Sequence, residues 1–489
     1  VTPRGALAPS LVALVKVAVS VAVLAGGFRA VSDDDFARVV IAEQWARAPR
    51  LDPSGTSWLP LPFWIVGAAM RVLGRSLETA RGTAFVLGVA AALIVYVAAR
   101  WIGEDRGAAA VGAVVAAVVP WSARLGVATV PELPAAALTL LAMASIAPAG
   151  EEGEKRRIWG GAALLAATLS RYEAWPVAAV FAVACAVSRA PRGEAGRGAR
   201  AAPIVLALAG PIAWMLWNRH AHGDALHFVA RVTAYRQALG GGGEGSAAAR
   251  LWAYPVAMAR EEPEVLALLG AAIAITLMRA REARERLARY AWPAATAAAQ
   301  IAALSIAMVK DGAPTHHPER AVLSAILLAA VMAGALGAQA IQAGEGRAWK
   351  AVVLLGAAAI AAVTVRPRTT REGFVQRGNE EAIGRALAGV SRPGEPVLLE
   401  VVDYGYLAVE AALGRPEDVV QDRSIDPRDP KVPSSFDDPA ALSRRLAASG
   451  ARWVVSRNAV PVASVLGEPV AVRGAWRIYA VLARPGSPG

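Results

Sequence analysis

Cysteine is almost absent from this sequence: Cys185 is the one thiol in 489 residues. A single cysteine excludes an intramolecular disulfide, and its place inside an apolar run reads as packing rather than as a nucleophile. Charge is scarce as well, at 18% of residues, while 56% are hydrophobic. Counting glycine in place of tyrosine, the apolar share is about 64%, against roughly 45–50% for soluble globular chains. That excludes a single water-soluble domain. Acidic side chains number 39 against 51 lysines and arginines, a formal net charge of +12. In a soluble chain this balance suggests nucleic acid. Here many arginines sit in short connections between apolar runs, where a cytoplasmic position favours them, so no nucleic-acid partner is expected. The preference for Arg over Lys and the abundance of Ala point to a GC-rich bacterial genome.

What the sequence does have is a series of Ala/Val/Leu runs from Ala6 to Val365, more than a soluble core buries. They predict a polytopic α-helical membrane protein. Candidate spans are 6–27, 79–100, 107–126, 129–148, 158–171, 174–188, 201–218, 264–279, 291–309, 321–342 and 351–365, about eleven in all. The first follows Arg4 and is long for a signal peptide, so it reads as an uncleaved helix entering from the cytoplasm. Arg100 and Arg106, Lys155 to Arg157, the Arg189–Arg200 cluster, the Arg279–Arg289 cluster, and Arg347 with Lys350 then fall on one side, the cytoplasmic one. The opposite face receives 28–78, turns near 127–130 and 171–174, the loop 219–263 with its Gly240–Gly245 run, the turn 310–320 and the tail. Within 158–188 the charged Arg171 and Glu173 argue for two short spans over one long helix. Chain 1–365 is thus expected to form the transmembrane domain. Residues 366–489 form a small extracytoplasmic α/β domain, with strands at 397–402, 452–455 and 477–482, helices near 379–389, 404–413 and 439–449, and a connecting loop 414–438.

Four polar clusters share the outer face. Asp33, Asp34 and Asp35 follow Ser32 in the first outward loop, where adjacent carboxylates repel and call for a cation or a task. Alternatively they are the acidic first turn of a helix, with Arg38 four residues beyond Asp34. Residues 58–73, with Trp58 and Trp64, read as an amphipathic stretch along the membrane surface. The turn His316-His317-Pro318-Glu319-Arg320 offers an arginine for a phosphate and two imidazoles for a phosphate or metal; two histidines fall short of the three or four ligands a metal site needs. Ser170-Arg171-Tyr172-Glu173 breaks two apolar runs, either as a local Arg–Glu pair or as a site, and Glu132 opens an apolar helix behind Pro131. Carboxylates and arginines at a membrane surface suit a lipid-phosphate substrate, the arginines gripping phosphate and a carboxylate serving as general base.

Asp34-Asp35 with Ala42 eight residues on, the Pro60-Leu61-Pro62 segment, Leu73-Gly74-Arg75-Ser76 and Ala80-Arg81 together resemble the GT-C membrane glycosyltransferases. The likeness is to the protein O-mannosyltransferase and lipid A aminoarabinose transferase group, glycosyltransferase family 39-like. It covers most of 1–365 in layout and about 30–110 in motif, with Asp35 standing where the group has Glu. The resemblance implies a GT-C-like bundle that transfers a sugar, with inversion, from a polyprenyl-phosphate donor to a lipid, glycan or protein acceptor. The reaction would take place on the extracytoplasmic side of the inner (cytoplasmic) membrane. By position it implies Asp34 as catalytic base supported by Asp35 or Asp33, Glu132 as a second acidic site residue, and Arg171 and Arg320 as ligands of the donor phosphate. Tyr172, Glu173, His316 and His317 are further site candidates, and a divalent cation is a candidate cofactor. A transporter or flippase of lipid-linked sugars would instead place ionisable residues at mid-membrane in related halves, and no internal repeat is present. A non-catalytic scaffold leaves Asp33–Asp35 without a role.

Overall fold

The computed structural model describes residues 3–55, 57–146, 153–187, 194–238, 246–278, 280–310, 317–342 and 375–481. The expected span 351–365 and His316 lie outside the described residues. In chain order the helices are α1 (Pro3–Ala25), α2 (Asp34–Arg47), α3 (Leu61–Leu73), α4 (Leu77–Ile102), α5 (Arg106–Val118), α6 (Pro120–Leu125), α7 (Glu132–Ser145), α8 (Gly153–Thr168), α9 (Trp175–Val187), α10 (Glu194–His222), α11 (His227–Ala238), α12 (Ala247–Glu261), α13 (Pro263–Leu277), α14 (Ala280–Ala288), α15 (Ala291–Val309), α16 (Pro318–Ala321) and α17 (Leu323–Gln342). The tail adds α18 (Gly378–Val390), α19 (Tyr406–Leu413), α20 (Pro439–Ser449) and α21 (Ala459–Leu466).

This is a multi-pass membrane protein. Among the described residues five helices are long and apolar enough to cross a bilayer: α1 from Leu7, α4, α10 from Ala201, α15 and α17. Five further apolar stretches, α3, α5, α7, Tyr172–Val187 and α13, are shorter. Helix length alone therefore carries five crossings where about eleven were expected. The chain divides into two compact units: 1–28, 55–61 and 84–372, and 29–54, 62–83 and 373–489.

In the first unit α17 is the central helix, buried along most of its length. It crosses α5 where two glycines meet: a Cβ on Gly112 would come within 2.8 Å of the Val331 carbonyl oxygen, and one on Gly334 within 2.7 Å of the Gly112 Cα. Lipid supplies no hydrophobic drive between helices, so close backbone approach at small residues is what holds such a pair. Outward-facing leucines and valines on α1 and α10, among them Leu11, Leu14, Val205 and Leu216, are exposed and available to lipid. The polar break inside 158–188 is present, α8 ending at Thr168 and a 3₁₀ turn, Tyr172–Ala174, leading into α9. Lys16, midway along α1, is fully enclosed and donates to the Ser122 carbonyl at 2.7 Å. A backbone acceptor in the bundle is a structural role for an intramembrane lysine.

In the second unit the tail is a five-stranded sheet of β1 (Val397–Leu399), β2 (Val419–Gln421), β3 (Trp453–Ser456), β4 (Ala471–Arg473) and β5 (Trp476–Ala480), ordered β2-β1-β3-β5-β4. Strands β2, β1 and β3 run parallel, β5 and β4 antiparallel. Side chains alternate across it. Val397, Leu399, Val455 and Ile478 pack on Ile383 and Leu387 of α18 and Val409 of α19. Leu398, Val454 and Tyr479 pack on the opposite face with Leu442 and Leu446 of α20 and Val462 of α21. Three of the strands and α18 to α20 fall where the sequence pattern puts them. Strand β2 lies inside the expected loop 414–438, and β4 and α21 carried no pattern. The same unit holds α2 and α3, which share a core with Ala408 and Ala411 of α19. Gly67 lets α3 cross α2, since a Cβ there would meet the Trp45 ring at 2.4 Å. Helix α3 leaves Ile65, Val72 and Leu73 exposed.

Candidate functional site

Two groups of predicted residues are each brought together, one in each unit. In the second unit Asp33 to Asp35 form the entry to α2, with Asp34 and Asp35 in its first turn. The three carboxylates end in different environments. The Asp35 carboxylate is buried and its Oδ2 accepts the backbone N–H groups of Val31 at 3.1 Å and Ser32 at 3.2 Å, closing the turn before the helix. Asp33 is clamped by Arg377, whose Nε and Nη2 each donate at 2.9 Å. A paired, planar clamp of this kind is among the strongest side-chain contacts available. Asp34, half-buried between them, makes no hydrogen bond or ion pair among the described residues. Arg38 does not turn back to it but lies over the Phe63 ring, 5.6 Å from the centroid. Arg377 also meets Asp403 at 3.0 Å, and Arg457 meets the other oxygen of Asp403 at 3.2 Å.

In the first unit the mouth of α7, the break before α9 and the start of α17 surround a small pocket. Glu132, the first residue of α7, is buried there. Its Oε1 lies 3.4 Å from Nη1 of Arg171 and 4.0 Å from Nη1 of Arg320. Arg171 makes a two-pronged bond to Glu173, Nε to Oε2 at 3.1 Å and Nη2 to Oε1 at 2.6 Å. The local Arg–Glu pair and the gathering of long-range partners thus coexist. Gln300 on α15 donates to the Glu173 carbonyl at 2.8 Å and accepts from Ser324 on α17 at 2.7 Å. This chain holds the 3₁₀ turn, and nothing in the local pattern of α15 or α17 signals it, because an isolated Gln or Ser in an apolar helix is uninformative until its partner is known.

Arg320 is buried in α16, just ahead of α17, beside Glu319, which His317 contacts at 3.2 Å. Burial alone raises the Glu319 carboxyl, but the His317 hydrogen bond, its own backbone N–H and the Arg320 charge together hold it below the ordinary carboxylate range. Tyr172 turns away from the arginines. Its hydroxyl donates to the Ser57 carbonyl at 2.7 Å and accepts from Trp214 at 2.9 Å, while its ring stacks on Phe228 at 4.8 Å. Among the described residues no three His, Cys, Asp or Glu side chains converge as metal ligands.

The family model for dolichyl-phosphate-mannose-protein mannosyltransferases matches residues 54–217, about a third of the chain. No curated protein matches it in sequence. Among solved structures, ArnT from Cupriavidus metallidurans bound to undecaprenyl phosphate is similar over 100% of both chains, with a TM-score of 0.58 and 14% identity. The oligosaccharyltransferase AglB from Archaeoglobus fulgidus, in complex with an inhibitory peptide and a dolichol-phosphate, is similar over 93% of this chain and 69% of its own, with a TM-score of 0.51 and 12% identity. The chain has the fold of the GT-C membrane glycosyltransferases.

Proposed function

We propose that the chain is a GT-C-type glycosyltransferase that moves a sugar from a polyprenyl-phosphate donor to an acceptor, with inversion at the sugar. The observation that carries this reading is the pair of arginines, Arg171 and Arg320, gathered in one pocket of a membrane helical bundle. The likeness to ArnT bound to undecaprenyl phosphate supports a lipid phosphate as their ligand. In the reaction the acceptor oxygen attacks the anomeric carbon from the side opposite the phosphate. Asp34 takes the acceptor proton, and the bond from that carbon to the phosphate oxygen breaks. The electron pair leaves on the polyprenyl phosphate, and the two guanidiniums stabilise the charge that develops there.

Asp34 is the carboxylate to assign as base, because Asp33 and Asp35 are already committed to Arg377 and to backbone N–H groups. Residues 373–489 belong to the same unit as Asp34 and are assigned to acceptor selection. The test is turnover of the purified full chain with a panel of polyprenyl-phosphate sugars and candidate acceptors, read as released polyprenyl phosphate. Asp34→Asn is expected to lower transfer by about 10²–10⁴-fold while donor binding persists. Unchanged transfer in that variant removes Asp34 from the role.

A further inference from the structure

The pocket that holds Arg171 and Arg320 carries as many carboxylates as guanidiniums, since Glu132 and Glu173 line it too. A phosphate brought into this pocket would meet cations that are already neutralised. The two carboxylates are not held alike. Glu173 is fixed: it grips Arg171 through two bonds, the shorter 2.6 Å, and its carbonyl is pinned by Gln300. Glu132 is not gripped in this way by either arginine. A single oxygen, Oε1, stands 3.4 Å from one guanidinium and 4.0 Å from the other, longer than the roughly 2.7–2.9 Å of a strong charge-assisted bond.

We propose that Glu132 is an internal placeholder for the donor phosphate: its carboxylate occupies the position between Arg171 and Arg320 that a phosphate would take, and donor binding exchanges one anion for the other. This rests on the donor-phosphate reading of the two arginines. The physical reason for a placeholder is the cost of leaving the buried Arg320 and the half-buried Arg171 with only Glu319, 4.0 Å away, and Glu173 as their anions. A phosphate presents more than one oxygen, so it can bond to both arginines at once where the single Oε1 reaches each at a distance. Glu173 meanwhile keeps Arg171 in place during the exchange. The site then discriminates by charge, because an anion weaker than phosphate gains too little to displace Glu132.

The test is binding of undecaprenyl phosphate to the full chain in detergent micelles, with undecaprenol as the uncharged control. Glu132→Gln keeps the shape and removes the competing charge, so it is expected to bind the lipid phosphate about tenfold more tightly than wild type. Undecaprenol binding should not change. Without lipid the variant is expected to melt lower than wild type, and to gain more on adding undecaprenyl phosphate. A purely structural Glu132 lowers the melting point with no gain in affinity, and that outcome overturns the placeholder. An equal gain for undecaprenol overturns it as well. Arg320→Ala separates the two levels: if it binds undecaprenyl phosphate as wild type does, the donor-phosphate reading itself fails. If it loses binding while Glu132→Gln binds no more tightly, only the placeholder fails. Should Glu132→Gln not survive purification, Glu132→Asp draws the same charge back by one methylene. It is expected to bind more tightly than wild type, and binding at or below wild type overturns the proposal.

Discussion

Three neighbouring aspartates divide their work by what reaches them. Asp35 faces two backbone N–H groups four and three residues earlier, Asp33 faces an arginine 344 residues later, and Asp34 faces neither. The acidic run itself is legible in the sequence, and so is its place at a helix start. Which carboxylate stays disengaged is not, because it depends on Arg377. Elsewhere in the same unit Glu43 and Glu410 are buried as well. Glu43 on α2 is fully enclosed, and burial drives its carboxyl well above the ordinary range, against the attraction of Arg75 and with added repulsion from Glu417, Glu410 and Glu78. Glu410 on α19 is pushed up by burial from 4.5 to about 7, against a smaller lowering by the Gln421 hydrogen bond. Both groups bind their proton more tightly folded than unfolded. The stability they allow is therefore complete below about pH 4.5 and falls as pH rises through about 7, where Glu410 must ionise in place or unfold its surroundings. Melting of the second unit is expected to drop between pH 5 and 8. In Glu410→Gln that slope should flatten, and an unaltered slope assigns it to other groups.

Elements were legible where the apolar period was long and unlegible where contact alone makes them. The break between α8 and α9 announces itself by Arg171 and Glu173, two charges that no uninterrupted apolar helix would carry. Strand β2 does not, because three half-buried residues at a sheet edge, in a stretch rich in Asp, Pro and Ser, have no periodicity to read. Its partner β1 decides it. The crossing of α5 and α17 is a similar case: Gly112 and Gly334 are two of 45 glycines until the helices are laid together. Adding a side chain there must push the backbones apart, and Gly112→Leu or Gly334→Leu is expected to destabilise the first unit by at least about 1–3 kcal/mol, as overpacking does. Thermal unfolding in detergent reads this. Gly270→Leu on α13 is the control, since a Cβ there meets nothing within 4 Å and the melting point should hold.

At the scale of the whole molecule the second unit joins the early segments 29–54 and 62–83 to residues 373–489. Arginine–carboxylate contacts tie the early segments to the tail, among them Arg377 to Asp33, Arg81 to Glu381 at 2.6 and 3.0 Å, Arg75 to Glu417 at 2.9 and 3.1 Å, Arg47 to Glu417 at 3.0 Å, and Arg385 to Glu78 at 3.0 Å. Apolar contact between α2, α3 and α19 lies beside them. Deleting 373–489 would expose that core and strip Asp33 of its clamp. The expected result is loss of transfer with binding of undecaprenyl phosphate kept within about threefold, because Arg171, Glu132 and Arg320 all belong to the other unit. Loss of both together would show that the first unit does not hold its fold alone.

The sequence by itself determined what water could not dissolve and where charge was affordable. The apolar runs, the arginine-rich connections, the acidic entry to α2 and the alternating strands of the tail all follow from local composition and period. Only the tertiary structure decided which charges neutralise one another. Arg377 meets Asp33, Glu132 lies between Arg171 and Arg320, and Gln300 pins Glu173, each across tens to hundreds of residues. Hydrophobic period is written into neighbouring residues, whereas the partner of a buried ion is set by which helices pack, and that is a property of the folded chain as a whole.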